Sequence, residues 1–256
     1  MTGFVTFVSA GPGAADLITL RGLRALQRAD IVLFDALTDP ALRDHAPQAR
    51  WLDVGKRGFC DSTAQGAINA ALVRAAREHA QVVRLKGGDA SVFGRLEEEL
   101  AALAEAGIAS EVVPGVTAAL AAAAEARRPL TRRGAGRSVA LTTAMTRDGE
   151  LRAAHSADTE VFYMAGRQLG ALARRLLDAG WAAGTPVLVV SRAGCADAIT
   201  SDHEVGNLAA ASLLHRGRPT VVTVGVGARA VASAPKRTAF EAGQEPRARL
   251  VDTLSD

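Results

Sequence analysis

The segment RLKGGDASVFGR, residues 84–95, contains two adjacent glycines between a run of β-forming residues and a charged segment. Residues that favour β-structure run from Val82 to Leu85 and end at GGD (87–89), after which residues 96–105 have helical spacing. This pattern predicts a strand, a glycine loop and a helix. Adjacent glycines let backbone amide and carbonyl groups approach a ligand, and Asp89 adds an acceptor for a hydroxyl or amino group. The glycines alone favour a simpler alternative, which is a tight turn between strand and helix.

The same alternation of strand and helix extends in both directions from this loop. Further strands are predicted at Phe4–Val8, Ile31–Phe34, Trp51–Val54, Ile108–Val113, Ser138–Thr143, Glu160–Met164, Pro186–Val190 and Thr220–Val224. Helical spacing connects them at Leu17–Leu26, Ile68–His79, Thr117–Ala126, Leu169–Leu177 and Leu208–Leu214. The sequence therefore predicts an α/β protein.

The dipeptide Pro114-Gly115 interrupts this alternation and predicts a domain boundary. We expect an N-terminal α/β domain at residues 1–114 and a C-terminal α/β domain at residues 115–230. Residues 231–256 are expected to form a flexible tail, because charged and small residues follow one another there without a period.

The loop after the first strand, Gly11-Pro12-Gly13, does not complete a dinucleotide-binding fingerprint. Asp16 occupies the position where that fingerprint has its third glycine. We predict that Asp16 instead caps the N-terminus of the following helix. The broken fingerprint argues against a nicotinamide-dependent oxidoreductase.

Composition excludes several classes of protein. The chain has 256 residues, a formal net charge of +3 and 48% hydrophobic residues, which is ample for a packed core. Its two cysteines have no metal-ligand spacing and its five histidines are scattered, so no metal site is predicted. No apolar run is long enough to span a bilayer, and the N-terminus lacks the basic region of a signal peptide. Together with the isolated cysteines, these features predict a cytoplasmic protein without a membrane partner.

An arginine cluster lies beyond the predicted boundary. It comprises Arg127, Arg128, Arg132, Arg133 and Arg137. Guanidinium groups bind carboxylates and phosphates, so the cluster is consistent with an anionic ligand, although a solvated basic surface is the alternative that charge alone favours. Aromatic residues, which would stack on bases, make up only 4% of the chain, and no nucleic-acid partner is expected.

Two charged residues follow predicted strands and are candidates for an active site. Asp35 comes directly after Ile31–Phe34, and Lys56 follows Trp51–Val54. Open α/β sheets bind their ligands at the carboxyl ends of the strands, where both side chains would emerge. A capping aspartate and an ordinary exposed lysine are the structural alternatives.

The motifs of this chain, in their order and spacing, resemble the tetrapyrrole methylase family over residues 4–226. They are GPG (11–13), FDALT (34–38), VGKR (54–57), RLKGGD with VFGR (84–95), VVPGVTAA (112–119), PLT (129–131) and FYM (162–164). The resemblance implies a two-domain α/β protein, usually a homodimer, with S-adenosylmethionine in the cleft between its domains. The implied reaction methylates a carbon of a small-molecule tetrapyrrole and leaves S-adenosylhomocysteine.

The resemblance also implies a substrate and a set of site residues. FDALT and VGKR are similar to the motifs of members that methylate uroporphyrinogen III at C-2 and then C-7, through precorrin-1 to precorrin-2, for sirohaem or cobalamin synthesis. Asp35 and Lys56 match the family's proton acceptor and proton donor. Cofactor contacts are implied for Pro12, Gly87, Gly88, Asp89, Val92, Thr117, Ala118, Met164, Ala193 and Thr220. Because the implied substrate is rich in carboxylates, we expect it to be bound by Arg57, Arg95, Arg128 and Arg132.

The chain departs from the family's motifs near the implied substrate cleft. Ala90-Ser91 replaces proline and phenylalanine, Leu96-Glu97 replaces two glycines, Ala144-Met145 replaces glycine and histidine, and Arg132 replaces histidine. These changes keep two alternatives open. One is a sibling methylase that acts on another precorrin, and the other is a non-catalytic protein that binds a tetrapyrrole or adenosine ligand.

Overall fold

The computed structural model describes residues 2–55, 65–144 and 151–231, and their strands form two five-stranded sheets. The strands of the first sheet are β1 (Phe4–Ser9), β2 (Ile31–Phe34), β3 (Arg50–Asp53), β4 (Gln81–Lys86) and β5 (Ser110–Val113). They are all parallel and lie in the order β3-β2-β4-β1-β5. The five carboxyl ends therefore share one edge of this sheet, and the loops that follow them lie in a row.

Helices cover both faces of the first sheet. They are α1 (Leu20–Gln27), α2 (Gln65–Glu78) and α3 (Leu96–Glu105), with short 3₁₀ helices at Ala15–Leu17 and Pro40–His45. Successive strand residues face opposite sides, so Phe7 joins a core cluster with Leu72 and Leu103, whereas Val8 joins one with Leu26. This two-sided burial explains why the strands read as continuous apolar runs.

The start of α1 differs from the sequence prediction. Asp16 lies in the 3₁₀ helix, and the N-cap of α1 is Thr19, whose side chain accepts a hydrogen bond of 3.1 Å from the Gly22 amide. The prediction that Asp16 caps this helix was therefore wrong. Thr19 is also a favoured capping residue, but it lies inside the apolar repeat that begins at Leu17.

The second sheet is mixed. Its strands are β6 (Val139–Thr143), β7 (Thr159–Tyr163), β8 (Pro186–Ser191), β9 (Ile199–Glu204) and β10 (Thr220–Gly225), in the order β6-β7-β10-β8-β9. Only β6 and β7 pair in parallel, and the other three pairings are antiparallel. On one face lies α4 (Ala118–Glu125), and on the other lie α5 (Leu169–Asp178) and a 3₁₀ segment, Val205–Ser212. A further 3₁₀ turn, Val226–Ala228, follows β10.

Two features of the second sheet were not predicted correctly. The pattern analysis missed β9, whose sequence ITSDHE is polar and whose residues alternate between half-buried and exposed at the sheet edge. The predicted helix at Leu208–Leu214 is instead the 3₁₀ segment, and Leu213 lies beyond it with 85% of its surface exposed. The predicted boundary at residue 114 assigns one sheet to each domain, and the position of that boundary remains a prediction.

Candidate active site

The loops that follow β4, β1 and β5 are joined by hydrogen bonds at the carboxyl edge of the first sheet. Gly11 and Gly88 exchange two backbone bonds, with N–O distances of 3.2 and 2.7 Å. The Ala90 amide donates to Ser9 Oγ at 3.0 Å, which fixes the turn of the glycine loop on the end of β1. The three loops therefore form one continuous wall, as the strand order requires.

Gly88 is the glycine of these loops whose backbone is not covered by other atoms at its Cβ position. It has a φ of +70°, which favours glycine, and a carbon built at its Cβ position would meet no atom within 4 Å. The backbone at this point thus borders open space. This is the geometry expected of a loop that presents amide and carbonyl groups to a small molecule.

The Asp89 carboxylate forms hydrogen bonds with the backbone of two neighbouring loops. Its Oδ1 accepts from the Ser91 amide at 2.8 Å, and its Oδ2 accepts from the Gly115 amide at 2.8 Å. Each carboxylate oxygen thus already has one protein donor. Asp89 thus ties the glycine loop to the loop after β5, and its contact with a ligand stays a prediction.

Asp35 occupies the position next to the glycine loop, because β2 is the neighbour of β4. Its Oδ2 lies 3.4 Å from the Gly87 amide, and its Oδ1 accepts from the Leu37 amide at 3.2 Å. A carbon at Gly55, just after β3, would lie 2.2 Å from Asp35 Cα, so the chain passes very close to this residue. The half-buried carboxylate retains acceptor capacity toward the cleft, which suits a proton acceptor or the stabilisation of a nearby cation.

Two of the predicted site residues lie outside the described part of the chain. Lys56 and Arg57 follow Gly55 in the sequence and belong to the range 56–64. Their roles as proton donor and substrate ligand stay predictions.

The second sheet reaches the glycine loop through Tyr163, at the end of β7. Its hydroxyl lies 2.7 Å from Thr117 Oγ1, and its ring centroid lies 5.1 Å from that of Phe93. Burial raises the pKa of Tyr163, so the phenol stays protonated at neutral pH. The next residue, Met164, is 56% exposed and has a φ of +59°, an uncommon value for a residue with a side chain. Thr117 therefore lies beside Tyr163, which contacts Phe93 of the glycine loop, and Met164 directly follows Tyr163, while the cofactor contacts of Thr117 and Met164 stay predictions.

A loop after β8 meets the loop after β1. The Ala14 amide donates to the Gly194 carbonyl at 3.0 Å, and a carbon at Gly13 would lie 2.4 Å from Cys195 Sγ. Pro12 lies on the same side as Gly194, and Ala193 is buried beside them. This contact joins Pro12 and Ala193 in one region.

The other residues implied to contact the cofactor are half-buried or buried beside the second sheet. Val92 and Ala118 are half-buried and pack on the core between α4 and the second sheet. Thr220 is buried at the start of β10, and its hydroxyl donates to the Arg218 carbonyl at 2.8 Å. With its proton committed to this bond, the Thr220 hydroxyl can offer a ligand only an acceptor.

The described arginines of the predicted substrate set are all engaged by protein groups. Arg95 is about half exposed and forms two hydrogen bonds of 2.7 Å with Glu98. Arg128 binds both carboxylate oxygens of Asp202 and the Ala228 carbonyl. Arg132 donates to the Arg229 and Ala230 carbonyls. Only Arg95 lies on the glycine loop, and it is the described arginine best placed to meet a substrate carboxylate.

Sequence reasoning did not identify the groups that support these loops. Tyr163 and Phe93 lie in motifs that were quoted but were given no role of their own, and in the loop after β8 only Ala193 was implied, because the contacts of these residues join parts far apart in the chain. The sequence did contain a signal for another group of residues. Arg84 and Lys86 are charged residues in a strand whose neighbouring residues are apolar, and both are buried. Within the described ranges, no cluster of histidine, cysteine or acidic side chains could hold a metal ion. No helix in those ranges is long and apolar enough to cross a membrane.

The two five-stranded sheets are joined by loop contacts beside the glycine loop, where the Asp35 carboxylate lies, and this arrangement suits an enzyme that acts on a small molecule. The sequence pattern of the Tetrapyrrole (Corrin/Porphyrin) Methylases matches residues 5–209. The chain belongs to this family.

Similar proteins support the assignment over most of the chain. A uroporphyrinogen-III C-methyltransferase from Pseudomonas aeruginosa is 41% identical over 92% of this chain and 98% of its own length. The siroheme synthase 1 of Pectobacterium atrosepticum is 42% identical over 88% of this chain, which spans only 48% of that relative. The crystal structure of uroporphyrin-III C-methyl transferase from Thermus thermophilus complexed with S-adenyl homocysteine is 34% identical, with a TM-score of 0.77, over 87% of this chain and 97% of that one.

Proposed function

We propose that this protein is an S-adenosylmethionine-dependent C-methyltransferase that converts uroporphyrinogen III to precorrin-2. It adds methyl groups at C-2 and then at C-7, through precorrin-1, for sirohaem or cobalamin synthesis. The observation that carries this proposal is the carboxylate of Asp35, which lies 3.4 Å from the Gly87 amide at the edge of an open glycine loop. The relatives named above support both the cofactor and the substrate.

The loops at the carboxyl edge of the first sheet suit a small cofactor such as S-adenosylmethionine. Gly88 borders free space, and the loop after β8 closes on the loop after β1 at the Ala14 amide. Bound S-adenosylmethionine supplies an electrophilic methyl group, and an enamine-like pyrrole carbon can form the new carbon–carbon bond as the carbon–sulfur bond breaks. Residues proposed to hold the cofactor are Pro12, Gly87, Gly88, Asp89, Val92, Thr117, Ala118, Met164, Ala193 and Thr220. For Asp89 the proposed contribution is to hold the loop, because its two oxygens already accept backbone bonds.

Asp35 and Lys56 are the proposed proton-transfer groups. When the pyrrole carbon gives its electrons to the new bond, positive charge develops on the pyrrolic nitrogen, and Asp35 stabilises that charge or accepts the nitrogen's proton. Lys56 is proposed to return a proton or to neutralise a substrate carboxylate. Positioning contributes the rest of the catalysis, since no strong nucleophile is needed on the protein.

The carboxylates of the substrate are proposed to meet Arg57 and Arg95. Arg95 would exchange its pair with Glu98 for a substrate carboxylate, which is feasible at an exposed ion pair of small net energy. Arg128 and Arg132 remain weaker candidates because both are bound to groups of the second sheet and its following turn. A homodimer and a cytoplasmic location also remain predictions.

A sibling methylase with another precorrin as substrate is the second candidate. The departure at Ala90 keeps this candidate open, because the Ala90 amide donates to Ser9 Oγ, a bond that the proline usual in the family could not make. A binding-only descendant is the third candidate, and the retained carboxylate at Asp35 argues against it.

Anaerobic incubation with S-adenosylmethionine and each tetrapyrrole in turn tests the proposal. The methyl count of the product is read by mass after oxidation. We expect two added methyl groups on uroporphyrinogen III and none on later precorrins. Methylation of a later precorrin alone would establish the sibling activity. No methylation of any substrate, with S-adenosylhomocysteine still bound by calorimetry, would establish the binding-only alternative.

A further inference from the structure

A buried cluster of three charged side chains lies beneath the glycine loop. Arg84 and Lys86 are on the same face of β4, and Glu99 is in the first turn of α3. Their exposed fractions are 3%, 4% and 1%. Glu99 Oε1 lies 3.0 Å from Lys86 Nζ and 3.2 Å from Arg84 Nη2, and the arginine Nε lies 3.3 Å from both carboxylate oxygens.

This cluster, which we call the Glu99 cluster, joins the two ends of the glycine loop. Lys86 is the last residue of β4 and directly precedes the loop, whereas Glu99 is the fourth residue of the helix that follows it. The lysine stem also supports the loop from below, since a carbon at Gly94 would lie 3.2 Å from Lys86 Cε. The ion pairs thus fix the distance and orientation between the end of β4 and the start of α3, which the glycine loop connects.

The three side chains carry a net charge of +1, and Asp35 is a further carboxylate whose charge acts on Lys86. Burial of charged groups costs free energy, so the cluster contributes little to stability alone. Burial lowers the pKa of Lys86, and Arg84 acts in the same direction, whereas Glu99 raises it. Arg84 also donates to the Leu85 carbonyl at 3.0 Å, and Gln65 from α2 donates to Glu99 at 3.3 Å, so every member is held in one geometry. Apolar side chains of similar volume often stabilise a core as well as a buried ion pair does, but they do not specify one arrangement so strictly.

We propose that Arg84, Lys86 and Glu99 are positioning residues that hold the glycine loop in the conformation that binds the cofactor. Loss of the cluster leaves the fold intact but lets residues 87–95 adopt several conformations, so that the Gly87 and Gly88 backbone no longer presents a preformed surface. The inference rests on the proposed function only in taking S-adenosylmethionine as the ligand of this loop.

The test compares the wild type with two variants and a control. The triple variant Arg84→Met/Lys86→Met/Glu99→Leu replaces all three charges by apolar side chains and is expected to fold with little loss of thermal stability. Glu99→Gln removes only the negative charge and leaves two buried cations facing each other, so it is expected to be less stable. Arg175→Gln breaks an exposed ion pair with Asp178 on α5, far along the chain from the loop, and serves as the control.

The readouts are S-adenosylhomocysteine affinity by calorimetry and amide hydrogen exchange of peptides that span residues 87–95. We expect the triple variant to bind at least tenfold more weakly and to exchange at least tenfold faster in this loop, with Arg175→Gln unchanged. Affinity and loop exchange within twofold of the wild type would overturn the proposal. Failure of the triple variant to fold would also overturn it, because the cluster would then act on stability rather than on position.

These readouts separate this inference from the proposed function. A wild type that binds S-adenosylhomocysteine but methylates no tetrapyrrole would overturn the function and leave the inference standing. If the wild type does not bind S-adenosylhomocysteine, the cofactor assignment fails and the inference fails with it.

Discussion

At the scale of single residues, the structure separates side chains that face the cleft from side chains that hold it together. Asp35 and Asp89 both follow strands of the same sheet, and the sequence gives both the same chemistry. Both carboxylates accept backbone amides with both oxygens, but the bonds of Asp35 are long, at 3.4 and 3.2 Å, whereas those of Asp89 are 2.8 Å and one of them comes from a residue 26 positions along the chain. The sequence could identify both carboxylates as site residues, but it could not assign the bracing role, because the partner amide at Gly115 comes from a different strand.

The arginines allow a prediction at the same scale. Replacement of Arg95 by Gln should raise the KM for the tetrapyrrole several-fold with little change in S-adenosylhomocysteine affinity, because it removes a binding contact on the glycine loop. Arg128→Gln should instead lower the unfolding temperature and leave KM unchanged, because its guanidinium binds Asp202 and the Ala228 carbonyl. Steady-state kinetics and thermal melts of both variants provide the measurement. An elevated KM in Arg128→Gln with normal stability would restore Arg128 to the substrate site.

At the scale of elements, apolar runs were sufficient to locate nearly every described strand. β2 and α3 have the bounds that the pattern predicts, since a buried strand and a strongly acidic first helical turn leave clear signals. β9 left none, because its residues satisfy the hydrogen bonds of β8 at an edge where apolar side chains are not required. The order of the strands could not be read from the sequence either, and that order is what places Asp35 beside Gly87.

A histidine between β9 and β10 gives a prediction about pH. His215 is fully buried, with Nδ1 3.0 Å from Ser191 Oγ and Nε2 2.8 Å from Ser201 Oγ. Burial lowers its pKa from the ordinary value near 6.5, and His203 and Arg218 act in the same direction. Because the folded protein disfavours the protonated ring, protons bind preferentially to the unfolded chain. The neutral His215 ring therefore contributes its full stabilisation at a pH above the pKa of this histidine in the unfolded chain. That contribution is lost as the pH falls below this pKa.

Urea unfolding at pH 7.5 and pH 5 measures this effect. The wild type should lose more stability between these pH values than His215→Gln, which cannot take up the proton. His45→Gln serves as a control, because His45 is exposed and should not alter the difference. An identical loss in the wild type and His215→Gln would mean that other groups cause the acid sensitivity.

At the scale of the whole molecule, the cleft depends on contacts between the two sheets' loops. The loop after β1 touches the loop after β8 at Gly13 and Cys195, and Phe93 meets Tyr163 across the same cleft. Each of these pairs joins the two predicted domains. Hydrophobic periodicity describes one segment of the chain at a time, so it could not predict them. The resemblance did place Pro12 and Ala193 in a common site, although it carried no account of the contact that joins them.

A double-mutant cycle measures the contact between these loops. Gly13→Ala should weaken S-adenosylhomocysteine binding at least tenfold, because the new methyl group would lie 2.4 Å from Cys195 Sγ and force the loops apart. Cys195→Ala alone should have little effect, and in combination it should recover part of the affinity by removing that sulfur. Calorimetry on all four proteins gives the coupling. Additive effects of the two substitutions would show that the loops do not act through this contact.

The single-turnover rate of methyl transfer to uroporphyrinogen III in Asp35→Asn measures what the Asp35 carboxylate contributes to catalysis. The Asn side chain keeps one oxygen for either the Gly87 or the Leu37 amide, turns an NH2 group toward the other, and loses the negative charge. With S-adenosylhomocysteine affinity unchanged, the rate should fall about 100- to 10,000-fold, as expected for loss of a positioned acid–base group. A rate within threefold of the wild type would contradict the assignment of Asp35 to proton transfer or charge stabilisation.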